Sequence, residues 1–193
     1  AEICFKRTQG NPFFLIEFVT MLEEEGLLEF SLGGMRWMWD EKRVESATMS
    51  TLNVVDLLQA RMQKLPHGYQ VLLQYAACLG STFHESTLDI IWNRHTLLNS
   101  MYDDSNVPEI EEMLLRLVER DFIERNKSTY QWVHDKVKEA ALSLGRAAEA
   151  SFQYQIGCIL FQSLGPQELE DNLFEVVHLI NKGRGGRIDY VGL

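Results

Sequence analysis

Two short stretches of this chain alternate their side chains with the period of two that a strand requires. One, "LLEFSLGGMRWMWD" (27–40), flanks Gly33-Gly34 and puts Trp37 and Trp39 on one face. The other, "DFIERNKSTYQWVHD" (121–135), turns around Lys127. Most of the remainder carries apolar residues at helical spacing. The pattern excludes a large sheet. It predicts a mainly α fold with two short β-hairpins, at 27–39 and 121–133.

Punctuation residues set the expected helices. Asn11 is a good N-cap and Pro12 a good first helical residue, and Gly26 stops the helix after Glu23, Glu24 and Glu25. Phe13, Phe14, Leu15, Ile16, Phe18, Val19, Met21 and Leu22 cover most of its circumference. Glu17, Thr20 and Glu24 mark the polar edge. Such a helix is expected to be packed on several sides. A polar connector (40–50) leads to a helix near 52–64 that ends before Pro66. Further helices are expected at 68–79, 85–93 and 108–120. The last has Ile110, Met113, Leu114, Leu117 and Val118 at helical spacing. The polar run "NSMYDDSNV" (99–107) reads as a mobile insertion. Helices resume at 135–144, 147–164 and 168–181. The paired helices at the end suggest the start of a helical repeat, although the sequence has no internal period. The Gly-rich tail from 184 reads as loose.

The 193 residues suffice for one large or two small domains. A formal charge of −10 argues against nucleic acid or an anionic membrane as the main partner. Cys4, Cys78 and Cys158 are scattered without a Cys-x-x-Cys pair, as expected of reduced, buried thiols inside a cell. No apolar run approaches a membrane span and no signal peptide is evident, so the expected location is cytoplasmic. The chain opens on Ala1 and is expected to be a piece of a longer protein.

Six segments occur in a telling order: "TQGNPFFLIEF…LEEEGLL", "MRWMWD", "NVVDLLQARMQKLP", "VLLQYAACLGSTF", "YQWVHDKVKEAAL" and "LFEVVHLINKG". This order resembles the region that follows the nucleotide-binding core in AAA-type P-loop ATPases of the STAND class, the signal-transduction ATPases with numerous domains. Their relatives sit in multidomain sensor kinases and regulators. The likeness covers roughly residues 1–183. It implies a helical lid with a hairpin (1–66), a winged-helix domain (67–134), the start of a helical, repeat-like arm (135–183) and a flexible tail (184–193). It also implies an upstream P-loop ATPase domain in the same chain, downstream sensor or kinase domains, and ATP or ADP with magnesium held by the upstream core. The present residues contain no G-x-x-x-x-G-K-[ST] run, so on their own they are not expected to hydrolyse ATP.

Two sites carry over from the resemblance. In similar proteins the Gly10-Asn11-Pro12 turn sits beside the adenine. There Gly10 allows close backbone approach and Pro12 offers a rigid apolar ring. The second site is His134, whose counterpart faces the β-phosphate of bound ADP; a ring N–H can donate to a phosphate oxygen. Asp135 is expected to cap the next helix or orient the ring. The family usually has Phe where Trp132 stands, and often Tyr where Leu142 stands. From spacing alone, the Gly10-Asn11-Pro12 turn reads first as an ordinary helix N-terminus, and His134 reads equally as a structural histidine at a helix start or as a ligand.

Competing chemistries fare worse. As a DNA-recognition helix, "PEIEEMLLRLVER" sets Glu109, Glu111, Glu112 and Glu119 against Arg116 and Arg120, which would repel phosphates. His134-Asp135 matches the bare pair of the HD-type metal phosphohydrolases, with His95 and Asp171 or Asp189 as further candidate ligands at unconvincing spacing. A helical protein-interaction module without nucleotide contact is the other alternative.

Overall fold

Capping chemistry places the helix starts. Asn11 Oδ1 accepts the N–H of Phe14 at 3.2 Å, Asn11 has extended backbone, and Pro12 occupies the first turn. Asp40 Oδ1 accepts two backbone N–H groups, from Lys42 at 3.0 Å and Arg43 at 3.2 Å. The computed structural model describes residues 2–48, 54–99 and 109–184, leaving aside the side chains of 95–99 and 183–184. It is mainly helical, with two small antiparallel sheets among the described residues.

The chain forms two compact units, residues 1–64 and 65–193. The first contains α1 (Glu2–Thr8), α2 (Pro12–Glu24), the hairpin β1 (Leu28–Ser31) and β2 (Arg36–Trp39), α3 (Glu41–Ala47) and α4 (Val54–Gln63). In the hairpin Leu28 faces Trp39 and Phe30 faces Trp37, whose rings meet edge to face at 5.3 Å. Phe18, Leu22, Leu27, Val44 and Leu57 form a buried cluster with Ile3, Cys4, Met21 and Leu28 against it, and Val54, Leu58 and Met62 of α4 are also buried.

The second unit begins with α5 (His67–Cys78), β3 (Thr82–His84), α6 (Glu85–Asn99) and α7 (Ile110–Glu119). The strands β4 (Ile123–Asn126) and β5 (Thr129–Trp132) follow, and β5 is central in the order β3-β5-β4. The unit continues through α8 (Asp135–Leu142), α9 (Ala150–Ser163), α10 (Pro166–Asp171) and α11 (Leu173–Arg184). α8 packs on α5, and α9 on both α6 and α11. Tyr75, fully buried, stacks on Phe152 at 5.8 Å and meets Trp92 edge to face at 6.1 Å. Phe83 stacks on Tyr130 across the sheet at 6.0 Å.

Both expected hairpins are present. Several local expectations need correction. The connector at 40–50 contains α3, which buries one side chain, Val44, and so shows no apolar periodicity. The second hairpin gains a third strand, β3, only three residues long and too short to display alternation. The single helix expected at 168–181 is two, broken at Asn172, whose Nδ2 donates back to Glu168 O at 2.8 Å. α1 had no counterpart in the sequence reading. The run at 99–107, apart from Asn99, and the tail from residue 185 lie outside the described residues.

Candidate functional site

α1 ends where Thr8 Oγ1 donates to Cys4 O at 2.8 Å and Gln9 N donates to Phe5 O at 2.7 Å. Gln9 and Gly10 then take left-handed backbone, at φ +50° and +77°, and swing the chain into α2. A Cβ at Gly10 would touch Phe5 Cε2 at an ordinary 3.5 Å, so glycine is favoured there by φ and not by space. Gly10, Asn11 and Pro12 are all exposed. The turn therefore presents backbone and an apolar ring outward.

Beside it the surface is apolar. Phe5 is 67% exposed and Ile16 63%, and Leu15 is exposed with them. Pro12, Leu15 and Ile16 fall on one face of α2 at positions i, i+3 and i+4. Glu17, on the expected polar edge, is only 5% exposed. It forms an ion pair with Arg61 of α4, whose Nε lies 3.6 Å from Glu24 Oε1. As expected, α2 is packed on several sides, against α1, α4 and β1. Its polar edge is the seam with α4, closed by a guanidinium, and part of its apolar circumference is open. Arg7, in the last turn of α1, has its Nε buried with no hydrogen-bond partner among the described residues.

His134 belongs to the second unit. It is itself the N-cap of α8: its backbone is extended and its Nδ1 accepts the N–H of Lys136 at 3.0 Å. Accepting at Nδ1 puts the ring proton of the neutral imidazole on Nε2. Asp135 is the first residue of α8 and not its cap. His134 is exposed at this helix start. The preceding Trp132 is buried and donates Nε1–H to Gly80 O at 3.1 Å, which anchors β5 to the end of α5.

The other arrangements considered from sequence have these geometries. Arg116 and Arg125 are 3.8 Å and 3.7 Å from Glu119 and Glu111, so α7 presents carboxylates together with paired guanidinium groups. Among the described residues no three His, Cys, Asp or Glu side chains converge as metal ligands. The His95 side chain and Asp189 are outside that set. No helix among the described residues is long and apolar enough to cross a membrane.

Two buried groups hold their protons tightly. Burial pushes the Cys78 thiol up to about 12, against the pull of Lys182 and Lys138. Burial, reinforced by the carboxylate of Glu85, raises Tyr130 to about 12, and its hydroxyl donates to Glu85 Oε2 at 3.2 Å.

No family model matches the chain. No solved structure matches it. Among curated proteins it is similar to the hybrid signal transduction histidine kinase G of Dictyostelium discoideum, at 30% identity over 83 residues. That stretch is 43% of this chain and 2% of the Dictyostelium protein, so the chain corresponds to a very small share of that relative.

Proposed function

We propose that this chain is a regulatory part of a cytoplasmic signal-transduction ATPase, a lid and a winged-helix domain acting on ATP or ADP bound by an upstream P-loop core. The core would hold the magnesium and do any chemistry. The arm from 135 onward would link the switch to downstream sensor or kinase domains or to protein partners.

The observation that carries the reading is the turn between α1 and α2. Its left-handed Gly10 and exposed Pro12 stand beside the open apolar surface of Phe5, Leu15 and Ile16. An adenine ring needs such a flat apolar contact and a closely approaching backbone. In the second unit the order α5-β3-α6-α7-β4-β5, with the short β3 paired to β5, supports the winged-helix reading. His134 follows β5 after Val133, and its Nε2–H is the ring atom a phosphate oxygen would accept from. The likeness to a signal transduction kinase supports a signalling context.

The test is ADP release from a full-length protein carrying these residues. Pro12→Glu keeps a favourable first-turn helix residue and sets a charge where the base would lie. Release is expected to quicken about tenfold or more, the equivalent of about 1.4 kcal/mol. An unchanged rate would remove Gly10, Asn11 and Pro12 from the nucleotide. That outcome would favour the second reading, a protein-interaction module, for which the exposed aromatic face of Phe30, Trp37 and Trp39 on the hairpin speaks.

A further inference from the structure

In the second unit a cavity of about 420 Å³ opens where the end of α5 meets α8, α9 and α11. Ala77 and Cys78 line it from α5 and Leu142 from α8, and these surfaces are apolar. Lys138 of α8 and Lys182 of α11 line it as well, and both ammonium charges act on the Cys78 thiol. Neither lysine has an ion pair among the described residues, whereas Lys64 and Lys136 each meet a glutamate. Glu175 and His178 complete the charged and titratable lining. Bases therefore outnumber acids in this recess, although the chain as a whole carries 28 acidic against 18 basic residues.

Two ammonium groups with no ion pair among the described residues, beside an apolar surface, suit one class of ligand. A free inorganic anion would leave the apolar wall without a partner. An uncharged apolar molecule would leave the lysines without one. We propose that this cavity binds a small organic anion, a carboxylate with a compact apolar body, its charge between Lys138 and Lys182 and its body against Ala77, Cys78 and Leu142. The thiol is no obstacle, because burial keeps it protonated and neutral at ordinary pH. Glu175, at the Gly80 end of the cavity, repels a second negative charge and so favours a monocarboxylate.

The test is titration of the isotope-labelled 193-residue chain with hexanoate, followed by amide chemical shifts. Hexanol and inorganic phosphate serve as parallel probes. Hexanoate is expected to give saturable shifts at Ala77–Gly80 and along 174–182, with the two controls at least about tenfold weaker. Lys138→Gln/Lys182→Gln is expected to weaken hexanoate by about tenfold or more. Lys182→Gln alone, at an exposed side chain, is expected to weaken it in the same direction if the double variant loses its fold. Equal binding of hexanol would reduce the cavity to an apolar crevice, and equal binding of phosphate to a charged rim. Either result, undiminished binding by the lysine variants, or no saturable shift would overturn the proposal.

Discussion

Glu17 and Arg61 are the most sensitive pair in the first unit. Glu17 is buried and Arg61 nearly so, with side chains 6% and 10% exposed, between α2 and α4. Nearby lies the buried cluster of Phe18, Leu22, Leu27, Val44 and Leu57, and Val54, Leu58 and Met62 of α4 are buried as well. Each such side chain contributes about 1.5–3 kcal/mol by burial, most of it offset by chain entropy. A unit of this size is stable by roughly 0.05–0.15 kcal/mol per residue, or about 3–10 kcal/mol. Removing one partner of a buried ion pair costs about 3–5 kcal/mol, because the other charge stays desolvated. The two halves are not equivalent here. Glu17→Ala leaves Arg61 with Glu24 at 3.6 Å, so its cost belongs at the lower end, about 3 kcal/mol. Arg61→Met strands Glu17 in its buried position and belongs at the upper end, about 5 kcal/mol, comparable with the stability of the whole unit. Glu17→Leu/Arg61→Met replaces both charges with apolar side chains and should recover most of the loss. Hydrogen exchange of the α2 and α4 amides across a urea series reads this unit alone. Its midpoint should fall for Glu17→Ala, fall furthest for Arg61→Met, and return for the double variant. Single variants within about 0.5 kcal/mol of wild type, or a double variant worse than either, would refute the reasoning, since the pair would then behave as a surface contact.

Other outcomes follow from the second unit. A Cβ at Gly157 of α9 would lie 2.9 Å from Ile180 Cγ1 and 3.1 Å from Ile180 N on α11, so Gly157→Ala should lower thermal stability. The clash costs about 1–3 kcal/mol, against roughly 1 kcal/mol gained in helix propensity; a raised melting temperature would show that α9 and α11 are not so closely packed. Cys78 should resist a thiol reagent at pH 8 in the folded chain while half-buried Cys4 and Cys158 react, which mass spectrometry of the labelled peptides can check. Cys78 and Tyr130 rise from ordinary values of 9.0 and 10.0 to about 12, so the folded chain holds both protons more tightly than the unfolded chain. Their stabilisation is complete below pH 9 and is lost as pH climbs to about 12; urea midpoints should fall across that window, and Tyr130→Phe should flatten the upper part.

Local signals in the chain were strong where backbone chemistry is local. Asn11-Pro12 marks the start of α2, and the Gly33-Gly34 and Lys127 turns mark both hairpins, because caps and turns are decided within four residues. β3 and α3 escaped notice because three and seven residues with one buried side chain each carry no readable period. The orientation of α2 was hidden for a different reason. Whether Glu17 faces water or Arg61 depends on a residue 44 positions away, and no pattern within one helix contains that information. The candidate turn could be located from sequence, but its exposure and its apolar neighbours Phe5, Leu15 and Ile16 could not. His134 was singled out from its place between the second hairpin and the next helix; the capping bond that its Nδ1 accepts from Lys136 N emerged only from the backbone geometry at the start of α8.

That capping bond gives the most direct test of the nucleotide role. His134→Asp supplies another good N-cap and places a negative charge at a helix N-terminus, so the 193-residue chain should keep its stability to within about 0.5 kcal/mol. In a full-length protein the same carboxylate would repel a phosphate instead of donating to it. The decisive measurement is the ADP dissociation rate of the full-length His134→Asp protein, with His134→Ala beside it. Loss of a charge-assisted contact of about 1.5–3 kcal/mol predicts release about ten- to a hundredfold faster for both variants, although only Ala weakens the cap. If His134→Asp holds ADP as tightly as wild type, His134 serves α8 alone and its assignment to the nucleotide is contradicted.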